Sequence, residues 1–137
     1  LMNFTFNVEG GDFTNAGIVS STVKKMLKQI GVNPAIIKRT VVALYEAEVN
    51  IVAHARRGVI TIDIDEEKIY IKLEDEGDGI PDINKAMQKG YSTASPKVRE
   101  MGFGAGMGLP NIESNTDKLT INSTVGVGTT VEIINYF

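Results

Sequence analysis

Three stretches of this 137-residue chain place chemically useful residues at spacings that could act together. Glu46, Asn50, His54 and Arg57 fall at i, i+4, i+8 and i+11 of a helical run, within an arc of about 80° at 100° per residue. A carboxylate, a carboxamide and an imidazole in one seam could hold a hydrated metal and a proton-accepting base. On the helix alone, a solvated stripe is an equal reading. His54 by itself reads as a hydrogen-bonded structural histidine, and Glu48 projects away from the seam with no derivable role. A second stretch, Asp75-Glu76-Gly77-Asp78-Gly79-Ile80-Pro81, follows a predicted strand. Gly77 and Gly79 permit positive φ and let a ligand approach the backbone, while Asp75 supplies a lone acceptor. An ordinary acidic turn is the plainer alternative. A calcium loop is not, because the Asp-x-Asp-x-Asp-Gly order and the distal Glu are missing.

The third stretch is Gly102-Phe103-Gly104-Ala105-Gly106-Met107-Gly108-Leu109. Alternate glycines at a loop-to-helix junction expose successive N–H groups and suit an anion or phosphate. There is no Gly-Lys-Ser/Thr ending and no G-x-G-x-x-G spacing, which excludes a P-loop and a Rossmann turn. A flexible linker would not carry Phe103, Met107 and Leu109 between its glycines. Gly126-Val127-Gly128-Thr129-Thr130 then opens the last strand with hydroxyls beside a close backbone approach. Nine of the fourteen glycines lie between Gly77 and Gly128, where these stretches need them. Gly-x-Ser-x-Gly is absent, and a single histidine excludes multi-histidine metal sites.

The elements that must position these residues follow from periodicity. Met2, Phe4, Phe6 and Val8 alternate with polar residues as in a half-buried strand. Gly10-Gly11 breaks it, and Asp12 or Thr14 is placed to cap a helix carrying Val19, Val23, Met26, Leu27 and Ile30 at helical spacing, ending at Gly31. Asn33-Pro34 opens a second helix running to about Arg57. Between Val41 and Ala55 its only polar residues are Glu46, Glu48, Asn50 and His54, so it is expected to be packed on most sides. Strands follow at Val59–Asp65 and Lys68–Glu74. Asp82 caps a short helix to about Lys89, and Gly90–Gly106 is expected to be a mobile loop. A helix from about Gly108 and strands Lys118–Ser123 and Thr129–Asn135 complete the order. Strand pairs joined by tight turns predict an α+β two-layer sandwich: a mixed, mostly antiparallel sheet with helices on one face.

Composition narrows the function. At 42% hydrophobic and 23% charged, residues 1–137 are expected to form a single domain with a real core. A net charge of −3 and a pI near 5.2 argue against direct nucleic-acid or membrane-surface binding, which would want a basic stripe. No apolar run reaches the roughly 18 residues of a spanning helix, and the N-terminus lacks the charged-then-apolar pattern of a secretory signal. Zero cysteine removes disulfides and thiolate chemistry and fits a reducing, cytoplasmic place.

Glu46-x-x-x-Asn50, Asp75-x-Gly77-x-Gly79, Gly104-x-Gly106-x-Gly108-Leu109 and Gly128-Thr129 resemble, in order and spacing, the four nucleotide boxes of the GHKL ATPases. That superfamily joins gyrase B, heat-shock chaperones, histidine kinases and mismatch-repair ATPases, and the resemblance implies their ATP-binding α/β sandwich. Within it the chain looks most like the anti-sigma serine/threonine kinases. Glu46-Ala-Glu-Val-Asn50 with His54-Ala55 is similar to the RsbW type. Gly79-Ile80-Pro81-Asp82-Ile83, Gly90-Tyr91-Ser92-Thr93 and Gly104-Ala105-Gly106 with Leu109-Pro110 look closer to the RsbT type.

The resemblance implies the following roles. Asn50 coordinates Mg²⁺, and Glu46 orients or deprotonates the attacking hydroxyl. Asp75 accepts from the adenine amine, with Gly77 and Gly79 admitting the ring and Thr129 supporting that end. Gly102, Gly104, Gly106, Gly108 and Leu109 form the phosphate-binding box. A lid cation at Arg99, with Lys97 as the alternative, meets the γ-phosphate, and Arg57 is left as a helix C-terminal charge. The implied activity is γ-phosphoryl transfer from Mg·ATP to a small STAS-type anti-anti-sigma protein. A nucleotide-gated module sequestering a sigma factor, or the isolated ATPase domain of a histidine kinase, are the alternatives. The strand Met2–Val8 could pair edge to edge in a homodimer or be a simple sheet strand.

Overall fold

The computed structural model describes residues 1–88 and 108–137. Lys97, Arg99, Gly102, Gly104 and Gly106 therefore lie outside the described residues, as does the loop expected at Gly90–Gly106. The elements run β1 (Met2–Glu9), a 3₁₀ turn (Phe13–Asn15), α1 (Ile18–Gln29), α2 (Pro34–His54), β2 (Ala55–Ile64) and β3 (Lys68–Gly77). They continue with α3 (Ile83–Ala86), α4 (Gly108–Ser114), β4 (Lys118–Thr124) and β5 (Gly128–Tyr136).

The strands form one five-stranded sheet in the order β1-β2-β3-β5-β4, antiparallel at every pairing. Alternation decides which face is covered. Ile60, Ile62 and Ile64 of β2, Ile69, Ile71 and Leu73 of β3, and Val131 and Ile133 of β5 are buried together with Val19, Val23 and Leu27 of α1 and Leu44, Ala47, Ile51 and Val52 of α2. The opposite face keeps polar pairs, including Tyr70 donating to Glu132 at 2.6 Å, Lys72 with Glu74 at 3.4 Å, and Asn3 donating to Asp63. This is the expected two-layer α+β sandwich. Each fully buried isoleucine contributes about 1.5–3 kcal/mol of transfer free energy. Among the described residues, no helix is long and apolar enough to cross a membrane.

Two expectations about helix ends change. Neither Asp12 nor Thr14 caps α1. The chain turns at Gly17, whose φ of +97° suits a residue without a side chain, and the helix starts at Ile18. Its cap comes from another helix. The Glu48 carboxylate, 1% exposed, accepts from the backbone N–H groups of Gly17 at 2.9 Å, Val19 at 3.2 Å and Ser20 at 3.0 Å. A buried carboxylate holding three N–H donors at a helix start is favoured by both hydrogen bonding and the helix dipole. Glu48, which projects away from the seam, thus has a structural role at the start of α1. The second change is at the end of α2. That helix begins as expected, with Asn33 accepting from Ala35 N–H at 2.8 Å before Pro34, but it ends at His54. Arg57 lies in β2, paired with Glu76 at 3.3 Å on the surface, so it is neither a helix C-terminal charge nor part of the seam.

Candidate functional site

The seam on α2 forms one wall of the site. Glu46 and Asn50 are both half-buried, and one turn of helix separates them. Against them packs α4, which has two working faces. Leu109 and Ile112 point into the core, while Gly108 and Asn111, offset by about 100° from that pair, face α2. A Cβ on Gly108 would stand 3.0 Å from Asn50 Oδ1, so any larger residue there would crowd the carboxamide. The Asn111 side chain acts on Glu46 from α4 and favours its charged form. Burial raises the Glu46 carboxyl above the ordinary glutamate range, and the Asn111 side chain partly offsets that.

The second wall is the end of β3. Burial raises the Asp75 carboxyl, and the Thr129 N–H, 3.1 Å from Asp75 Oδ1, draws it back down. The other carboxylate oxygen has no hydrogen bond among the described residues, which leaves an acceptor for an amine. Thr129 is itself buried, and its hydroxyl lies 2.8 Å from Ser123 Oγ. Ser123 Oγ in turn accepts from Ile80 N–H at 2.7 Å and donates to Gly128 O at 3.2 Å. Backbone bonds from Gly126 N–H to Asp78 O at 2.8 Å and from Gly77 N–H to Val127 O at 3.2 Å tie the β4–β5 turn to the Asp75–Gly79 turn.

Glycine is required at two of these positions. Gly79 has φ of +77°, and a Cβ there would meet Thr124 O at 2.6 Å. At Gly128 a Cβ would meet Asp75 O at 1.9 Å, closer than any packed contact. These glycines let the two turns touch.

The walls meet through α2. A Cβ on Gly77 would lie 3.2 Å from His54 O and 3.2 Å from Asp75 Oδ1, so the Asp75 turn sits at the C-terminal end of the helix that carries Glu46. Eight residues at 1.5 Å rise separate Glu46 from His54 by about 12 Å. A carboxylate and a carboxamide therefore stand along the helix, and a second carboxylate stands at its end. A hollow of about 610 Å³ is lined by residues of the open face of the sheet, such as Asn7, Arg57, Glu74 and Asn122, and also by Asp75, Gly128 and Thr129. It reaches the strand ends that carry the second wall of the site.

Of the residues singled out from sequence, the structure brings together Glu46, Asn50, Gly108 and Leu109 at the α2–α4 contact, and Asp75, Gly77, Gly79 and Thr129 at the strand ends. Two members were missed. Asn111 lies one turn past Gly108 in a helix too short to show a period. Ser123 is the register partner of Thr129 across the β4–β5 hairpin, a relation visible only once the strands pair. Among the described residues, no three His, Cys, Asp or Glu side chains cluster to hold a metal. The donor set fits a hard cation shared with a ligand: Asn50 offers one carboxamide oxygen, and Mg²⁺ commonly takes the rest of its shell from phosphates and water.

Comparison with known proteins agrees with this geometry. The family model for the histidine kinase-like ATPase domain matches residues 12–135. The serine/threonine-protein kinase RsbT of Bacillus subtilis is 33% identical over 117 residues, 82% of each chain. An anti-sigma F factor of Caldanaerobacter subterraneus is 39% identical over 99 residues, 69% of this chain and 66% of that one. The crystal structure of the RsbU and RsbW domains of a Mycobacterium tuberculosis protein superposes with a TM-score of 0.65 at 15% identity, over 98% of this chain and 32% of the other. That last likeness concerns the fold. Domain match, identity and site geometry converge, and the chain belongs to the histidine kinase-like ATPase family, in the group of the RsbT-type serine/threonine kinases and anti-sigma factors.

Proposed function

We propose that residues 1–137 act as one ATP-binding kinase domain that transfers the γ-phosphoryl group of Mg·ATP to a serine or threonine of a small STAS-type anti-anti-sigma protein. The observation that carries this reading is the placement of Glu46 and Asn50 along α2 with the Asp75–Thr129 pair at the C-terminal end of that helix, where a Cβ on Gly77 would lie 3.2 Å from His54 O.

In this reading Asp75 accepts from the adenine amine through its free oxygen, held in place by Thr129 N–H. Gly77 and Gly79 leave room for the ring. Asn50 holds Mg²⁺, which when bound neutralises phosphate charge. Glu46 takes the proton of the acceptor hydroxyl as its oxygen bonds to the γ-phosphorus. The bond from that phosphorus to the β–γ bridging oxygen breaks, and ADP leaves with the electron pair. The raised Glu46 carboxyl suits a base, because a more basic carboxylate draws the proton more strongly. Phosphoryl transfer asks mostly for position and charge compensation. Arg99, or Lys97 in its place, is proposed as the lid cation that meets the γ-phosphate, beside the glycines at 102–106.

Incubation with Mg·ATP and a STAS-type partner, followed by mass measurement of the partner, tests the reading. A gain of one phosphoryl group is expected. A partner that binds but stays unmodified would instead favour a nucleotide-gated module that sequesters a sigma factor, a reading supported by the anti-sigma F factors among its relatives.

A further inference from the structure

Ser123 stands where three parts of the strand-end wall come together. Its Oγ accepts from Ile80 N–H at 2.7 Å, donates to Gly128 O at 3.2 Å and lies 2.8 Å from Thr129 Oγ1. The contact with Ile80 follows from the glycine before it. Gly79, at φ +77°, brings its turn so close to β4 that a Cβ would meet Thr124 O at 2.6 Å, and the next N–H falls on the Ser123 hydroxyl. Gly126 N–H clamps the same turn through Asp78 O at 2.8 Å. Strand register supplies the rest. Ser123 pairs with Thr129 across β4 and β5, so their side chains share a face, and Thr129 N–H reaches Asp75 Oδ1 at 3.1 Å. Thr129 thus stands between Ser123 and Asp75.

The proton count of a hydroxyl fixes the direction of each bond. Serine has one hydroxyl proton and two lone pairs. Gly128 O can only accept, so it takes the proton. Ile80 N–H can only donate, so it fills one lone pair. The remaining lone pair meets Thr129 only if the Thr129 hydroxyl donates. With its proton turned to Ser123, Thr129 Oγ1 has lone pairs alone to offer elsewhere, and it acts as an acceptor.

We infer that Ser123 is a positioning residue for base selection: it turns the Thr129 hydroxyl so that a second acceptor stands beside the Asp75 carboxylate, and the pair favours a purine with an exocyclic amine over one with a carbonyl. The inference rests on Asp75 accepting from the adenine amine. Two neighbouring acceptors suit an N–H donor. A carbonyl oxygen in the same place meets lone pairs with no proton between them, and each group gives up water without gaining a bond. Without the Ser123 hydroxyl, the Thr129 hydroxyl is released to rotate and can offer its proton to that carbonyl. Ser123 touches no base in this arrangement; it acts through Thr129.

The test titrates the whole chain, with Mg²⁺, against ATP and against inosine triphosphate, whose base carries a carbonyl in place of the amine. The parent protein is expected to prefer ATP. Ser123→Ala should reduce that preference by roughly tenfold, the size of one hydrogen bond made or left unmade. Ser123→Thr, which restores a hydroxyl, should recover most of it. Thr129→Val, similar in shape but without the hydroxyl, should lose the preference to a similar extent. Adding Ser123→Ala to Thr129→Val should change the ratio little further, because both act on one group. A serine that only stabilises the turn would weaken both nucleotides alike and leave their ratio unchanged. An unchanged ratio in Ser123→Ala, or in Thr129→Val should Ser123→Ala not fold, would overturn the inference. So would a Ser123→Thr ratio as low as that of Ser123→Ala. A parent protein that binds neither nucleotide, or both equally, would instead overturn the adenine assignment of Asp75 on which the inference rests.

Discussion

At the scale of single residues, the site is a set of carboxyl and amide groups whose environments assign them different work. Burial raises both Glu46 and Asp75, but each has one neighbour that pulls it back, Asn111 for the first and Thr129 N–H for the second. Glu46→Ala is expected to keep nucleotide binding and lose phosphotransfer by about 10²–10⁴-fold, the usual contribution of a general base. A single-turnover assay against a partner protein reads it. Asn50→Ala should bind nucleotide with no added benefit from Mg²⁺, checked by titrating nucleotide with and without the metal. The pH dependence has a definite sign. A carboxyl with a folded-state pKa above its unfolded value binds its proton more tightly when folded. The share of stability that Glu46 and Asp75 contribute therefore rises as pH falls from neutral through the raised pKa toward the ordinary one, against an opposite share from His54, whose pKa burial lowers. Glu46→Gln removes that group's share and should flatten the rise, measured as urea midpoint against pH. Glu46, Asn50 and Asp75 were legible in the sequence because each is short-range: a helical spacing, or an acid followed by glycines. Asn111 and Ser123 were not: Asn111 sits on a helix too short to show a period, and Ser123 meets Thr129 only once β4 and β5 pair in register.

Among elements, α2 links everything. One side carries Glu46 and Asn50, another carries core residues, and Glu48 reaches sideways to cap α1. The cap is worth testing by itself. Glu48→Ala would strand three N–H groups at the start of α1, and a loss of about 2–3 kcal/mol is expected from the missing cap and the unsatisfied donors. Chemical denaturation measures it, and Glu48→Gln should recover part by offering one acceptor oxygen. A stability within error of the parent would mean that water replaces the carboxylate at that helix start. The sequence points to Asp12 or Thr14 because capping residues normally lie just before the helix they cap. Here the local chain supplies a left-handed glycine, and the acceptor comes from about thirty residues downstream. The end of α2 moved for a related reason. Helical periodicity continues formally to Arg57, but pairing of Ala55 and Arg57 with Gly77 and Glu76 claims those residues for the sheet, whose ladder outcompetes a fraying helix end.

Across the whole molecule, ligand binding and folding are one equilibrium. If, as proposed, Mg·ATP binds the native state, it should raise the thermal midpoint. At a concentration 100 times the dissociation constant the stabilisation is about 2.7 kcal/mol. Asp75→Asn should abolish that shift by losing the acceptor for the amine, and a variant that keeps the full shift would remove Asp75 from the adenine end. Differential scanning fluorimetry reads both. The layered architecture could be read from periodicity, because alternation in strands and i, i+4 spacing in helices are imposed locally by backbone geometry. The glycine surplus between Gly77 and Gly128 likewise announced close backbone approach before any coordinates. What the linear order could not supply is which turn touches which. Gly128 needs its missing side chain because Asp75 O lies where a Cβ would be, and Gly108 needs it because of Asn50. Those distances exist only after β5 has inserted between β3 and β4 and α4 has come to rest on α2. Local periodicity writes the elements; the partners of Asp75 and Glu48 are chosen by packing, because a hydrogen bond between residues 28 to 54 positions apart is made only when the core has closed around it.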